Sequence, residues 1–418
     1  MSTIRFLVAL LIVTQTGLAA DNWPQFRGPT GDGQTGAKHL PLIWSESKNV
    51  KWQTKIHGKG WSSPVVWEEQ VWLTTATEDG KQMFVVCVDR DIGNIIHDIL
   101  VFENAAPEDT KRFNSFASPT PVIEEGRVYV HFGSYGTACL DTDSGTTIWS
   151  RRDLECNHWR GPGSSPIIDG DLLFVAFDGY DKQYVVALNK HHGKTAWLKD
   201  RSIDYDTNNG DLKKAFSTCT VVDYEGRRQL IAPAAVGTVS YDVATGNELW
   251  QVRHGGMNAA VRPLFSDGLV FIAPGSTKKL HAVRVDGIGD VTETSIKWTH
   301  AKSGPMRPSP VLVNGMLFTI SDDGVATCLQ AKTGEVIWQK RVGGNFRASP
   351  IHGAGRIYFS SMEGKTTVIE ASAEYKVLAE NQLGDEYQAS PAEAGGAIFL
   401  RSSNTLYRIE ENERNSKP

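Results

Sequence analysis

Eight short segments carry most of the side chains in this sequence that are suited to binding chemistry. They read HGKGWSSP (57–64), KRFNSFASP (111–119), NHWRGPGSSP (157–166), LKKAFSTC (212–219), NAAVRP (258–263), GPMRPSP (304–310), GNFRASP (344–350) and DEYQASP (385–391). Seven of them hold a cation: Lys59, Arg112, Arg160, Lys214, Arg262, Arg307 and Arg347. Aromatic residues are interleaved, namely Trp61, Phe113, Phe116, Trp159, Phe216, Phe346 and Tyr387, with Gln388 beside the last. Arg forks match carboxylates and phosphates, and aromatic faces stack on flat rings or sugars. If the segments converge, they form an electropositive, aromatic-lined funnel for an anionic ligand.

Other residues offer weaker chemistry. GPTGDGQTG (28–36) lacks the Lys-Ser/Thr of a phosphate loop and the spaced carboxylates of an EF-hand, so it is expected to be a flexible segment. His191 and His192 sit on a glycine turn and are expected to face solvent. Glu108–Lys111 lies in a long connection suited to an elaborated loop. Five cysteines cannot pair completely, and no CxxC is present. Cys156 with Cys219 is the one pairing left open.

The elements that position the eight segments are readable. Each segment leads into a small residue, Pro and a short apolar run, from SSPVVW at Ser62 to ASPAEA at Ala389, spaced about 40 to nearly 60 residues apart. After that anchor comes a second phrase, as in CLDTDSGTTIWSR (139–151): a small residue at i, Gly at i+6 and Trp at i+10. It recurs at Cys87, Ala187, Ser240 and Cys328, with His97 in the Trp slot of the first. The unit from Pro308 divides into four strands at Asn-Gly, Asp-Gly and Thr-Gly turns. One such meander cannot bury both its faces, whereas a ring of eight can. The fold class is therefore all-β, an eight-bladed propeller over 49–411. Trp at i+10 fills the gap between blades. The eighth unit stops at its third strand, so NVKWQTKI (49–56), with Trp52, is expected to complete the last blade.

These phrases resemble the tryptophan-docking repeats of quinoprotein alcohol dehydrogenases and their pyrroloquinoline quinone (PQQ)-like repeat relatives. The opening DNWPQFRGPTGDGQT is similar to the start of secreted bacterial members. The resemblance implies the fold over residues 22 to about 411. For the dehydrogenases it also implies PQQ held by Ca²⁺, with Glu and Asn as metal ligands, Asp as base and often a pair of adjacent cysteines. No Cys-Cys pair is present, and no Glu, Asn and Asp set is assignable. The resemblance therefore favours the non-catalytic branch, which includes BamB-type scaffolds, with no cofactor and no metal. A PQQ- and Ca²⁺-dependent oxidoreductase is the alternative. Glycoside hydrolysis needs two suitably spaced carboxylates.

The expected site residues are Lys59, Trp61, Arg112, Phe116, Arg160, Phe216, Arg262, Arg307, Arg347, Tyr387 and Gln388 at the channel mouth. The expected role is a binding or scaffolding module for a protein or carbohydrate partner, as a monomer. A formal net charge of −5 over 418 residues gives no reason to expect nucleic acid. Residues 1–20 read as a cleaved signal peptide, with Arg5, an apolar run too short to span a bilayer and small residues up to Ala20. No lipobox cysteine follows, so a periplasmic or secreted protein is expected. Residues 21–48 are expected to form an extended segment and 412–418 a disordered tail.

Overall fold

The computed structural model describes residues 22–108, 110, 114–384 and 386–411. The expected leader and tail lie outside them. Eight sheets, antiparallel but for one added strand, follow one another around a central channel. In the third blade the strands are Ile167–Asp169, Leu172–Asp178, Gln183–Asn189 and Thr195–Asp200, from channel to rim. The two middle strands are buried almost throughout because neighbouring blades cover both their faces. The outermost strand is mostly exposed, and Trp197 is its buried side chain. The eighth blade contains Ala392–Ala394, Ala397–Arg401 and Thr405–Ile409, and Val50–Lys55 supplies its outermost strand. The N-terminal strand thus closes the ring.

The Trp-and-Gly phrase acts between blades. Trp149 of the second blade lies on Gly193 of the third and donates its Nε1–H to Lys190 O at 2.8 Å. Trp52, Trp197 and Trp298 lie in the same way on Gly93, Gly246 and Gly334 and donate to Arg90 O, Val243 O and Ala331 O. The glycine has two duties: φ is +71° at Gly193, and a Cβ there would stand 2.6 Å from the Trp149 ring. Gly193→Ala is therefore expected to destabilise by about 2–4 kcal/mol, from backbone strain plus overpacking. Gly170, at φ +56° with nothing within 4 Å, is the control; Gly170→Ala should cost only about 1 kcal/mol. Equal denaturant midpoints for the two variants would remove the interblade role.

The degenerate units depart for visible reasons. The insertion before Trp298 adds a fifth strand, Gly289–Asp290, parallel to Glu248–Arg253 of the fourth blade, followed by a helical turn at Thr292–Ser295. Trp250 of that blade donates to Gln229 Oε1 of its own blade instead of to a neighbouring blade's carbonyl. In the seventh unit Tyr375 replaces the glycine seat and meets the Trp338 ring edge-on at 5.1 Å. His97 stacks on Trp72 at 5.6 Å, but its Nε2 has no partner. All five cysteines are free and buried, so Cys156 and Cys219 do not pair.

The segment expected to be flexible is a plug. Trp23 pairs with Val66 of the first blade, and Pro24 O accepts Ile123 N of the second. Arg27 donates to Ser309 O, Pro310 O and Pro350 O of the sixth and seventh blades. Gly33 O accepts His352 N, and Thr35 bonds Glu393 of the eighth blade. The glycines at 28, 31 and 33 have positive φ and press on Trp23, Arg262 and Arg27. Here glycine allows close approach rather than mobility.

Candidate functional site

The anchors that open the innermost strands form a ring. The residue before each Pro, or its equivalent, donates its backbone N–H to a hydroxyl of the next blade. The bonds run Ser63 to Thr120 (2.9 Å), Thr120 to Ser165 (2.9 Å) and Ser165 to Thr218 (3.0 Å). They resume from Arg262 to Ser309 (3.0 Å), Ser309 to Ser349 (2.9 Å), Ser349 to Ser390 (2.9 Å) and Ser390 to Ser63 (3.0 Å). The hydroxyl is needed because it is the acceptor for the buried N–H of the preceding blade, and a buried donor without a partner is costly. The break falls where the fifth blade carries Arg262 in the hydroxyl slot.

Above this ring is a cavity of about 340 Å³. Phe26 of the plug closes it on one side, and hydroxyls of the ring line its wall. Arg160, Arg307, Arg347, Trp61, Phe216 and Gln388 line its mouth, so these six of the expected site residues are brought together. Arg347 lies over the Trp61 ring at 5.3 Å and donates to Gln388 Oε1 at 3.0 Å. Burial, and then the charge of Arg307, lower its pKa. Asp322 holds Arg307, and Asp211 Oδ2 holds Arg160 at 3.2 Å, each carboxylate standing behind its arginine. Asn114 and Asn258 add amides, and Asn258 Oδ1 has no partner. Among the described residues that line the cavity, none is Asp or Glu.

The other expected residues have different places. Lys59 lies over the Trp61 ring at 5.5 Å without lining the cavity. Phe116 is buried against Gly80 and Tyr135, and Tyr387 is buried in the core. Lys214 is buried on Asp211, and burial lowers its pKa. Arg262 is 4% exposed and turns to the plug, donating to Phe26 O at 2.5 Å and Gln25 Oε1 at 3.1 Å. Burial pulls its pKa down to about 10. Arg112 and Phe113 lie outside the described residues. His191 is half exposed and bonds Asp171.

The lining was only partly visible beforehand. The hydroxyl ring had a signal, the repeated Ser/Thr before Pro, which reads at first as a strand-start mark. Phe26, Asn258 and Met306 had no repeat signal.

The fold and this mouth define a class: an eight-bladed PQQ-like repeat propeller. A PQQ-repeat family model described as "Outer membrane protein assembly factor BamB" matches residues 100–286 and 235–375. The chain belongs to that family. It is 20% identical over 279 residues to an "Outer membrane protein assembly factor BamB" of Yersinia pestis, covering 62% of this chain and 65% of the relative. A BamB of Moranella endobia is 22% identical, covering 60% of this chain and 62% of the relative. The chain thus spans less than two thirds of either BamB. A "Tetrathionate hydrolase" of Acidithiobacillus ferrooxidans is 20% identical, covering 68% and 70%. Among solved structures, BamB from Moraxella catarrhalis superposes with TM-score 0.61 at 12% identity, covering 86% of this chain and 99% of that one. A europium-containing methanol dehydrogenase gives TM-score 0.70 at 8% identity, covering 93% and 98%. These likenesses show the fold.

The dehydrogenase relation raises the question of PQQ. Its metal needs hard oxygen ligands, and alcohol oxidation needs a base. The described carboxylates that touch mouth residues are engaged: Asp211 and Asp322 hold Arg160 and Arg307, and Glu386 accepts from Gln388 Nε2 at 2.9 Å. No group of three or more His, Cys, Asp or Glu among the described residues is placed to hold a metal. The described residues of the mouth do not fit a Ca²⁺-held quinone, and no carboxylate pair is among the described residues that line the cavity. No described helix is long and apolar enough to cross a membrane.

Proposed function

We propose that this chain is a cofactor-free binding module, working outside the cytoplasm, whose mouth takes an acidic segment of a partner protein. The observation that carries this reading is the lining itself. Arg160, Arg307 and Arg347 stand with Trp61 around a cavity without a described carboxylate, in a chain of net charge −5. Cations gathered against the overall charge steer an acidic partner and set its register. Membership of the BamB family supports a protein rather than a carbohydrate as the partner.

The test is fluorescence anisotropy with labelled hexaglutamate. The wild-type chain should bind it, more weakly as salt rises. Arg307→Ala with Arg347→Ala should weaken binding about a hundredfold, from ~1.5 kcal/mol for each charged hydrogen bond. Arg284→Ala, on an exposed pair with Asp286, should leave it unchanged. Equal affinity in all three proteins would overturn the reading.

A further inference from the structure

Beside the cationic mouth is a ledge of apolar side chains. Trp159 is 43% exposed, Tyr180 40% and Leu212 39%. The two rings stand 5.7 Å apart at 43°, which leaves a notch rather than a flat platform. Much of the local structure holds them in this exposed position. Trp159 has φ +58°, a conformation rare for a bulky side chain. Its N–H is fixed by Asn157 Oδ1 at 2.8 Å, and Tyr180 N donates to Asn157 O at 2.6 Å. The Tyr180 ring rests on Gly210, where a Cβ would come within 2.6 Å of it. Gly210 opens the short helical turn Gly210–Lys213, whose Asp211 grips Arg160. Ledge and cavity are thus built as one piece.

A strained backbone that displays a tryptophan to water costs stability. Exposed Trp and Tyr beside Arg are the residue types that dominate binding energy at protein interfaces. Charge complementarity sets the partner's sign, since the adjacent cavity is cationic. Rings angled in this way offer an apolar side chain two surfaces to lie against, whereas a sugar lies flat on one ring. The unpartnered Asn258 Oδ1, on the cavity wall, suits a backbone N–H of a peptide. Trp159 and Arg160 are neighbours in sequence, about 3.8 Å apart along the chain, so the two recognised features must also be close in the ligand.

We infer that the partner segment is bipartite: carboxylates enter the cavity, and a bulky apolar side chain one to three residues away seats on Trp159, Tyr180 and Leu212. This rests on the acidic-segment reading above and adds the second determinant.

The experiment is a peptide array. Each peptide carries two glutamates followed by three positions that are varied through all residue types, with a parallel set carrying two glutamines. It is probed with the wild-type chain, with Trp159→Ala/Tyr180→Ala and with Arg307→Ala/Arg347→Ala. Each variant is first checked for an unchanged unfolding temperature. The expected result is selection of Phe, Trp, Tyr or Leu after the glutamates. The favoured peptide, measured in solution, should bind Trp159→Ala/Tyr180→Ala at least about tenfold more weakly. Replacing its apolar residue by alanine should cost a similar factor in wild type and nearly nothing in that variant. If the glutamate set binds without any apolar preference, the ledge is not a determinant and the acidic-segment reading stands alone. If the glutamine set binds equally well, or no peptide binds, both fall.

Discussion

The unfolding temperature is expected to fall steeply as pH is lowered from 6.5 towards 4. Four histidines are responsible. His131 and His158 are both buried against Phe177, at ring distances of 5.1 and 5.9 Å. His254 stacks on His281 at 6.2 Å across the fourth and fifth blades. Burial pushes His131 down to about 3, helped by the nearby His158, and His158 down to about 4. Burial likewise takes His254 and His281 down to about 4. In the unfolded chain these groups titrate near 6.5. Between about 4 and 6.5 the unfolded state binds more protons, so stability rises with pH in that window. The contribution is complete above 6.5 and lost as pH falls through the folded values. A tenfold difference in proton affinity between the two states is worth about 1.4 kcal/mol, so the four histidines together reach several kcal/mol. Depressed carboxylates, such as Asp91 held by Arg408 and Asp153 held by Arg151, act only in stronger acid. Thermal melts from pH 7.5 to 4.5 check this. His131→Gln, which keeps a donor for Thr137, should flatten the curve, whereas a wild-type curve already flat would contradict the assignment.

Arg27→Met is expected to cost about 3–5 kcal/mol, comparable to breaking a buried ionic pair. The guanidinium is fully enclosed and has no carboxylate on it. It is held by backbone oxygens: Ser309 and Pro350 at 3.3 and 3.2 Å, Pro310 at 2.6 Å and Asp32 at 2.5 Å. Burial pulls its pKa down to about 9, the energetic trace of that enclosure. Methionine retains much of the bulk and leaves three buried acceptors and one part-buried one without this donor, each buried one costing about 1–3 kcal/mol before relaxation. The plug should also loosen as a unit, because Arg27 ties it to the sixth and seventh blades. Limited proteolysis should cut between residues 22 and 36 in the variant and not in wild type. A denaturant midpoint within error of wild type, with an uncut segment, would show the plug to be dispensable.

Both predictions rest on features the sequence did not announce, while the ring itself was legible. Eight recurring anchors can close only with the missing fourth strand, so NVKWQTKI had to be the outermost strand of the eighth blade. The Trp and Gly at fixed spacing announced an interblade contact, because each copy needed the same flat seat. The plug was hidden by composition: Gly28, Gly31 and Gly33 look mobile until their positive φ and their neighbours are seen together. The mouth was half legible. Arg160, Arg307 and Arg347 follow the repeat into the cavity, but Arg262 occupies a hydroxyl slot and turns to the plug. Lys214, Phe116 and Tyr387 are drawn into the core for their bulk and contacts. Sequence position places a residue on a loop; the packing of neighbouring blades decides which way it faces.

The central claim is that the partner's acidic segment enters this mouth. Hydrogen–deuterium exchange of the wild-type chain with and without saturating hexaglutamate tests it most directly. Protection confined to the segments around Trp61, Arg160, Met306–Arg307 and Arg347–Gln388 is the predicted result. Protection on the outermost strands of the blades instead, with the mouth unchanged, would contradict it.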